Sequence, residues 1–208
     1  MDTLILINTT DPDASNNTKE AISVANKISQ QYSTVIIGKS EQTLSYLEEL
    51  DDICPNKIIG TNTLLNNQSL DLWVASYEQI IRKTNPKIIL LVADVLTREI
   101  SARLAARLNI PLIQESSQFE IKNNSLKFTR PIFGGIASAT IQPNETTQLI
   151  VTLQKGAFRL SDIQKYTNCR TTYIMLELQK EMEKVEYGEL SQTSSKGLSM
   201  EKASSIVC

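Results

Sequence analysis

The chain of 208 residues has room for one well-packed domain and a smaller appendage, because domains usually contain about 100–200 residues. Its 21 basic and 23 acidic residues give a formal net charge of −2, without the basic excess that nucleic-acid binding requires. Histidine is absent, and Cys54, Cys169 and Cys208 form no CxxC pair, which argues against zinc and iron–sulfur sites and excludes triad hydrolysis.

The first half of the chain alternates short apolar runs with amphipathic segments. Residues 4–7 are continuously apolar and predict a strand buried on both faces, and the apolar spacing over residues 17–31 predicts a helix. The same pattern predicts strands at residues 34–37, 57–59, 88–92 and 112–113, and helices at residues 44–50, 69–83 and 98–108. Strands that alternate with helices in this way predict an α/β fold with a mostly parallel, Rossmann-like sheet and helices on both faces.

Past residue 115 the pattern becomes that of antiparallel strands. Residues 119–121 and 126–128 flank a Lys-Asn-Asn-Ser turn, which is typical of a hairpin. Further strand-like segments lie at residues 132–133, 136–141 and 149–153, residues 171–178 are either a final strand or the start of a helix, and residues 187–196 have the composition of a linker. The sequence therefore predicts antiparallel strands added to the parallel sheet in the C-terminal half.

A ligand crevice in such a sheet normally lies beyond the carboxyl ends of the strands, at the point where the strand order reverses. The loops at residues 8–12 and 93–97 are the first candidates, yet neither contains a glycine. Gly134 and Gly135 lie between β segments and lack the spacing of a phosphate-binding loop, which favours a bend or a bulge. The sequence thus predicts no pyrophosphate site within this chain.

Two arginine-containing segments are candidates for function. Residues 97–108 place three arginines on a helix directly after a buried strand, where they either hold an anion near the helix N-terminus or form a solvated face. Glu99 and Arg103 have the spacing of a helical ion pair, which favours the solvated face. Arg130, just before a proline, is either an interface residue or a charge that fixes the turn, and the sequence leaves both open.

Three of these stretches together resemble the electron transfer flavoprotein alpha subunit, specifically its N-terminal domain. Residues 98–108 (REISARLAARL) are similar to the family's G-R-x-L-A-P-R-L-A-A-R-L helix, although Thr97 and Ala102 stand where the family has glycine and proline. Residues 128–135 (FTRPIFGG) match its F-x-R-P-x-x-G-G hairpin, and residues 151–158 (VTLQKGAF) are similar to its T-V-R-x-G-A-F strand. The closing residues 199–208 resemble the lead-in to the family's second nucleotide-binding domain.

The resemblance implies an adenine nucleotide alpha hydrolase-like fold and an electron carrier rather than an enzyme. Such an alpha subunit pairs with a beta subunit, binds one FAD, accepts electrons from acyl-CoA-type dehydrogenases and passes them to a quinone reductase or a similar acceptor. In the family the FAD is held mainly by the C-terminal domain of the alpha subunit, and the AMP of related complexes belongs to the beta subunit. We therefore expect an N-terminal α/β domain at residues 1–187, and at residues 188–208 a linker with the first strand of a missing FAD-binding domain.

From this we expect a scaffold domain that docks on the beta subunit and by itself has no catalytic, cofactor-binding or metal-binding residues. Arg103, Arg130, Gly134 and Gly135 are the interface or architectural candidates. The alternatives are a nucleotide-binding module resembling universal stress proteins and, less favoured, a hydrolase of the related adenine-nucleotide fold. No apolar run approaches the roughly 20 residues that span a bilayer and no signal peptide is present, so we expect a cytoplasmic protein without membrane insertion.

Overall fold

The structure is a computed structural model that describes residues 3–11, 13–29, 31–38, 48, 50–65, 69–122, 125–144, 148–160, 163–185 and 205. The strands are β1 (Thr3–Leu6), β2 (Tyr32–Gly38), β3 (Asn56–Thr61), β4 (Ile88–Val92), β5 (Leu112–Ser116), β6 (Gln118–Lys122), β7 (Ser125–Ile132), β8 (Ala137–Ile141), β9 (Leu149–Leu153) and β10 (Arg170–Met175). The helices are α1 (Ala14–Ile28), α2 (Leu70–Thr84) and α3 (Val95–Leu108).

Seven of the described strands form one sheet in the order β10-β3-β2-β1-β4-β9-β5. Each neighbouring pair in it runs parallel. Strands β2 and β3 lie on one side of β1, whereas β4 lies on the other, so the strand order reverses between β1 and β4. A crevice is therefore expected where the loops after these two strands diverge.

The parallel sheet separates two apolar clusters, one on each face. The first cluster lies between the sheet and helices α2 and α3, with Trp73, Ile100 and Leu104 among its buried residues. The second lies on the opposite face, where α1 packs, and includes Phe128 of β7. Strand β4 is buried along its whole length because both faces are covered, which explains its continuous apolar sequence.

Strands β6, β7 and β8 form a separate antiparallel sheet of three strands. The predicted hairpin pairs β6 with β7, and Phe119 lies opposite Phe128. A short 3₁₀ turn at Phe133–Gly135 then connects β7 to β8. Phe128 is fully buried, so this small sheet is attached to the body of the domain through one of its faces.

The predicted fold class is confirmed, with two refinements. The antiparallel strands form their own sheet, and residues 149–153 return to the parallel sheet between β4 and β5. The open choice at residues 171–178 resolves as strand β10, because its register continues the parallel sheet beside β3. Most of the predicted helix at 44–50, the linker at 187–196, and residues 199–208 apart from Ser205 lie outside the described residues. Within the described part of the chain, no helix is long and apolar enough to cross a membrane.

Candidate functional site

The crevice at the β1–β4 reversal is closed by side chains of the chain itself. Asp94, the residue before α3, accepts hydrogen bonds from the backbone N–H groups of Leu96 and Thr97, at 2.7 and 2.8 Å. Its other oxygen accepts from the Asn8 side chain at 3.0 Å. The N-terminus of a helix at this place is where a phosphate would bind, and here a carboxylate already fills that role.

Little free space remains in this crevice. Thr97 completes the helix cap, since its hydroxyl accepts from the Asp94 N–H and donates to the Val92 carbonyl at 2.7 Å. The cavity between β1, α1 and Asp94 has a volume of about 20 Å³. That volume suits about one water molecule, whereas small-molecule pockets occupy about 300–1,000 Å³. Among the described residues, the space directly between β1, α1 and Asp94 is therefore about as large as one water molecule.

The loop that follows β9 forms the neighbouring rim of the crevice, beside an open cavity of about 340 Å³. Glu20 of α1 is buried, and its two carboxylate oxygens accept from the N–H groups of Gly156 and Phe158, at 3.1 and 2.7 Å. Lys155 donates to Asp13 at 2.8 Å, and this hydrogen bond is the main cause that raises the pKa of Lys155. The backbone groups and the lysine that a loop offers to an anion are thus engaged by carboxylates of the chain.

All three arginines of helix α3 form ion pairs within the chain. Arg98 binds Glu115 at 2.7 Å. Arg107 binds Glu78 of α2 at 2.5 Å. Arg103 has two partners, the predicted partner Glu99 and also Asp71 of α2, the latter at 2.8 Å. These contacts support the structural interpretation of the helix, and a role of Arg103 at a subunit interface stays a prediction.

The turn between β7 and β8 combines unusual backbone angles with large exposed apolar side chains. Phe133, Gly134 and Gly135 have φ angles of 53°, 66° and 92° in succession. Glycine adopts such angles without strain, but a bulky residue such as phenylalanine is an outlier there. Phe133 is 78% exposed and Ile136 is 90% exposed. The glycine pair is a bend, as predicted, and it presents two apolar side chains to solvent.

The apolar face of the small sheet extends beyond the body of the domain. Residues opposite each other in an antiparallel pair share a face, so the register places Ala137, Ala139 and Ile141 of β8 on the face of Phe128. Phe128 is buried by the body, whereas Ala137 and Ile141 of β8 are exposed and Ala139 between them is half-buried. We call this part of the face, together with the turn, the overhang; it comprises Arg130, Ile132, Phe133, Gly134, Gly135, Ile136, Ala137, Ala139 and Ile141.

Arg130 lies in the middle of the overhang, opposite Ala139. Its Nε atom is buried and finds no hydrogen-bond acceptor among the described residues. A buried donor without an acceptor costs about 1–3 kcal/mol, so such groups usually receive a partner from water or from another molecule. The structure therefore brings three of the four predicted candidates, Arg130, Gly134 and Gly135, together in the overhang and places Arg103 elsewhere.

Sequence reasoning missed the apolar residues of the overhang and the capping role of Asp94. A bulky residue directly before a glycine pair, as in Phe133-Gly134-Gly135, was an available signal for an exposed turn. The Asp94-x-x-Thr97 spacing was an available signal for a helix start before the predicted residue 98. Among the described residues, no three acidic or cysteine side chains come together in a way that could hold a metal ion.

Comparison with known proteins finds one matching family and relatives that agree with it. The family model described as electron transfer flavoprotein domain matches residues 3–189. Protein FixB of Clostridium saccharobutylicum is 26% identical over 159 residues, which cover 74% of this chain and 46% of that protein. The electron transfer flavoprotein subunit alpha of Clostridium acetobutylicum is 27% identical over 138 residues, 65% of this chain and 40% of that protein.

The corresponding subunit of Thermoanaerobacterium thermosaccharolyticum is 27% identical over 142 residues, 67% of this chain and 42% of that protein. The chain thus spans less than half the length of these curated relatives, in their N-terminal part. The family match, by contrast, extends over nearly the whole chain. The chain therefore belongs to the electron transfer flavoprotein domain family, and its relatives are of the alpha-subunit type.

Proposed function

We propose that this chain is the scaffold domain of an alpha-type subunit and that it docks on a beta subunit through the overhang. In the complete complex an FAD carries electrons from acyl-CoA-type dehydrogenases to a quinone reductase or a similar acceptor. The domain contributes shape and binding surface to this transfer, because the chemistry belongs to the flavin. The observation that carries the proposal is the exposed apolar face of the small sheet.

The overhang has the features of a protein-binding surface. Large contiguous apolar patches on a folded domain usually mark interaction sites, and aromatic side chains are enriched among the residues that dominate binding energy. The left-handed conformation of Phe133 costs about 1–3 kcal/mol, a strain that tends to persist where it positions a functional group. We infer that Phe133 and Ile136 are the anchors that enter a pocket of the beta subunit.

Arg130 supplies the polar part of the proposed interface. Its buried Nε needs an acceptor, and a carboxylate or a carbonyl of the beta subunit would provide one. A charged donor within an apolar face contributes specificity, because a partner without the matching acceptor leaves the donor unpaired. Gly134 and Gly135 act indirectly in this proposal, since they allow the turn that directs Phe133 outward.

The closed crevice supports the proposal that this chain binds no FAD by itself. Asp94 occupies the helix N-terminus, and a cavity of about 20 Å³ cannot contain a dinucleotide. A visible spectrum of the purified protein tests this directly, and stoichiometric flavin absorption would refute it.

Calorimetric titration with ATP and AMP tests the competing proposal of a nucleotide-binding module, which tight binding would favour. A cytoplasmic location remains part of the proposal and is checked by cell fractionation.

Titration with the beta subunit tests docking through the overhang. Phe133→Ser and Ile136→Asp should each weaken binding by about thirty-fold or more, because anchors of this kind contribute about 2 kcal/mol or more. Tyr173→Ser is the matched control, since Tyr173 is a 68% exposed aromatic residue on β10, at the far edge of the parallel sheet. Arg130→Glu should also weaken binding. Unchanged affinity of the Phe133 and Arg130 variants would refute docking through this face.

A further inference from the structure

Residues 176–185, which we call the strap, follow β10 and lie along helix α2. The first part of the strap is held firmly. The Leu176 N–H donates to the Thr61 carbonyl at 3.2 Å, and the Asn62 side chain donates to the Leu176 carbonyl at 2.7 Å. Leu176 and Leu178 are buried in the apolar cluster beneath α2. This inner attachment combines apolar burial with backbone hydrogen bonds.

Gln79 of α2 strengthens the inner attachment. Its side-chain oxygen accepts from the Glu177 N–H at 3.0 Å, and its side-chain nitrogen donates to the Glu177 carbonyl at 2.8 Å. The amide therefore pairs with both polar backbone groups of one residue, as a neighbouring strand would. Because Leu178 is the last buried residue of the strap, the firm attachment ends there.

The outer part of the strap, residues 179–185, is mostly exposed and depends on a different contact. The Lys184 N–H donates to one carboxylate oxygen of Asp71 at 2.7 Å. The other oxygen of Asp71 accepts from Arg103 at 2.8 Å, and Arg103 is itself paired with Glu99. Arg103 thus fixes the orientation of the carboxylate and leaves its second oxygen directed at the strap.

We propose that Arg103 and Asp71 form a latch that holds the outer strap closed, with a hinge after Leu178. The ion pair is partly exposed, with 41% of the Arg103 side chain accessible, and such pairs are weak and sensitive to salt. The inner attachment contains no ion pair among its described contacts and does not share this sensitivity.

The assignment gives Arg103 a positioning role within the chain, which is the architectural one of the two roles expected from the sequence. It is independent of docking through the overhang, because none of the strap contacts includes β6, β7 or β8. Hydrogen exchange of the 208-residue protein, measured by mass spectrometry, tests it. Arg103→Gln and Asp71→Asn should each raise the exchange rate of the Lys184 amide by on the order of ten-fold. The Glu177 amide should keep its protection in both variants.

Arg107→Gln is the matched control, since Arg107 lies one turn further along α3 and pairs with Glu78 instead. Arg107→Gln should leave the exchange rate of the Lys184 amide unchanged. High salt should accelerate exchange of the Lys184 amide in the parent protein, because salt weakens the Arg103–Asp71 ion pair. It should not do so in Arg103→Gln, which lacks this ion pair. Protection of the β4 amides reports whether each variant remains folded. Equal effects of Arg103→Gln and Arg107→Gln, or exchange at Lys184 that is independent of salt in the parent protein, would overturn the latch.

Discussion

Replacement of Asp94 by alanine should destabilise the protein, because this half-buried residue caps helix α3. The Asp94 carboxylate accepts from Leu96, Thr97 and Asn8, so the alanine variant loses a helix cap and a contact between β1 and β4 loops. An N-cap replacement costs about 1–2 kcal/mol, and a further partly exposed hydrogen bond of ordinary strength contributes about 1 kcal/mol. We expect the free energy of unfolding to fall by about 2–3 kcal/mol.

Urea unfolding monitored by fluorescence provides the measurement, because Trp73 is the single tryptophan and is only 4% exposed. Asp13→Ala is the matched control: Asp13 precedes α1 but its side chain makes no capping hydrogen bond, so a loss below about 1 kcal/mol is expected. The loss of unfolding free energy in Asp94→Asn should lie between those of the two alanine variants, since asparagine is also a good N-cap. If Asp94→Ala and Asp13→Ala differ by less than about 0.5 kcal/mol, the capping argument is wrong.

Three further outcomes follow from buried groups. Gly60→Ala should lower the free energy of unfolding by about 1–3 kcal/mol, because the added Cβ would lie 3.0–3.1 Å from three core methyl groups; urea unfolding of a variant as stable as the parent would contradict this. Burial raises the pKa of Cys54 from 9.0 to about 12, so its contribution to stability is complete below pH 9 and declines as the pH rises towards 12. Cys54→Ala should flatten that decline, and in the native protein a thiol reagent should modify Cys169 before Cys54. Glu20→Gln keeps one acceptor oxygen and should accelerate amide exchange at residues 156–158, whereas unchanged exchange there would remove Glu20 as the support of that loop.

The pattern of apolar and polar residues within a short segment was sufficient to predict that segment's secondary structure where contacts with distant segments do not alter it. The predicted strand at 88–92 coincides with β4, because a continuous apolar run of only five residues is typical of a strand buried on both faces. The start of α3 was predicted three residues late, at residue 98 instead of Val95. The apolar periodicity becomes regular only after the first turn, whereas the cap at Asp94 defines where the helix begins.

Part of the candidate site was predictable and part was not. The hairpin, the bend at Gly134 and Gly135, and the choice of Arg130 as a candidate follow from turn chemistry and from family resemblance. The exposure of Phe133 and Ile136 does not, because an apolar residue in a sequence is normally assigned to a core. Whether the body of the domain covers these two side chains depends on how far the small sheet extends past that body. This distance cannot be predicted from the residue pattern of a short segment.

The sequence by itself determined the alternation of strands and helices, the absence of a glycine-rich phosphate loop and the family to which the chain is related. These properties depend on the types and spacing of residues within short segments of the sequence. Only the tertiary structure decided that Asp94 closes the crevice, that Arg103 faces Asp71, and that one face of β8 is uncovered. Each of these facts depends on segments tens of residues apart in sequence, and the packing of the two sheets and the helices sets their distance.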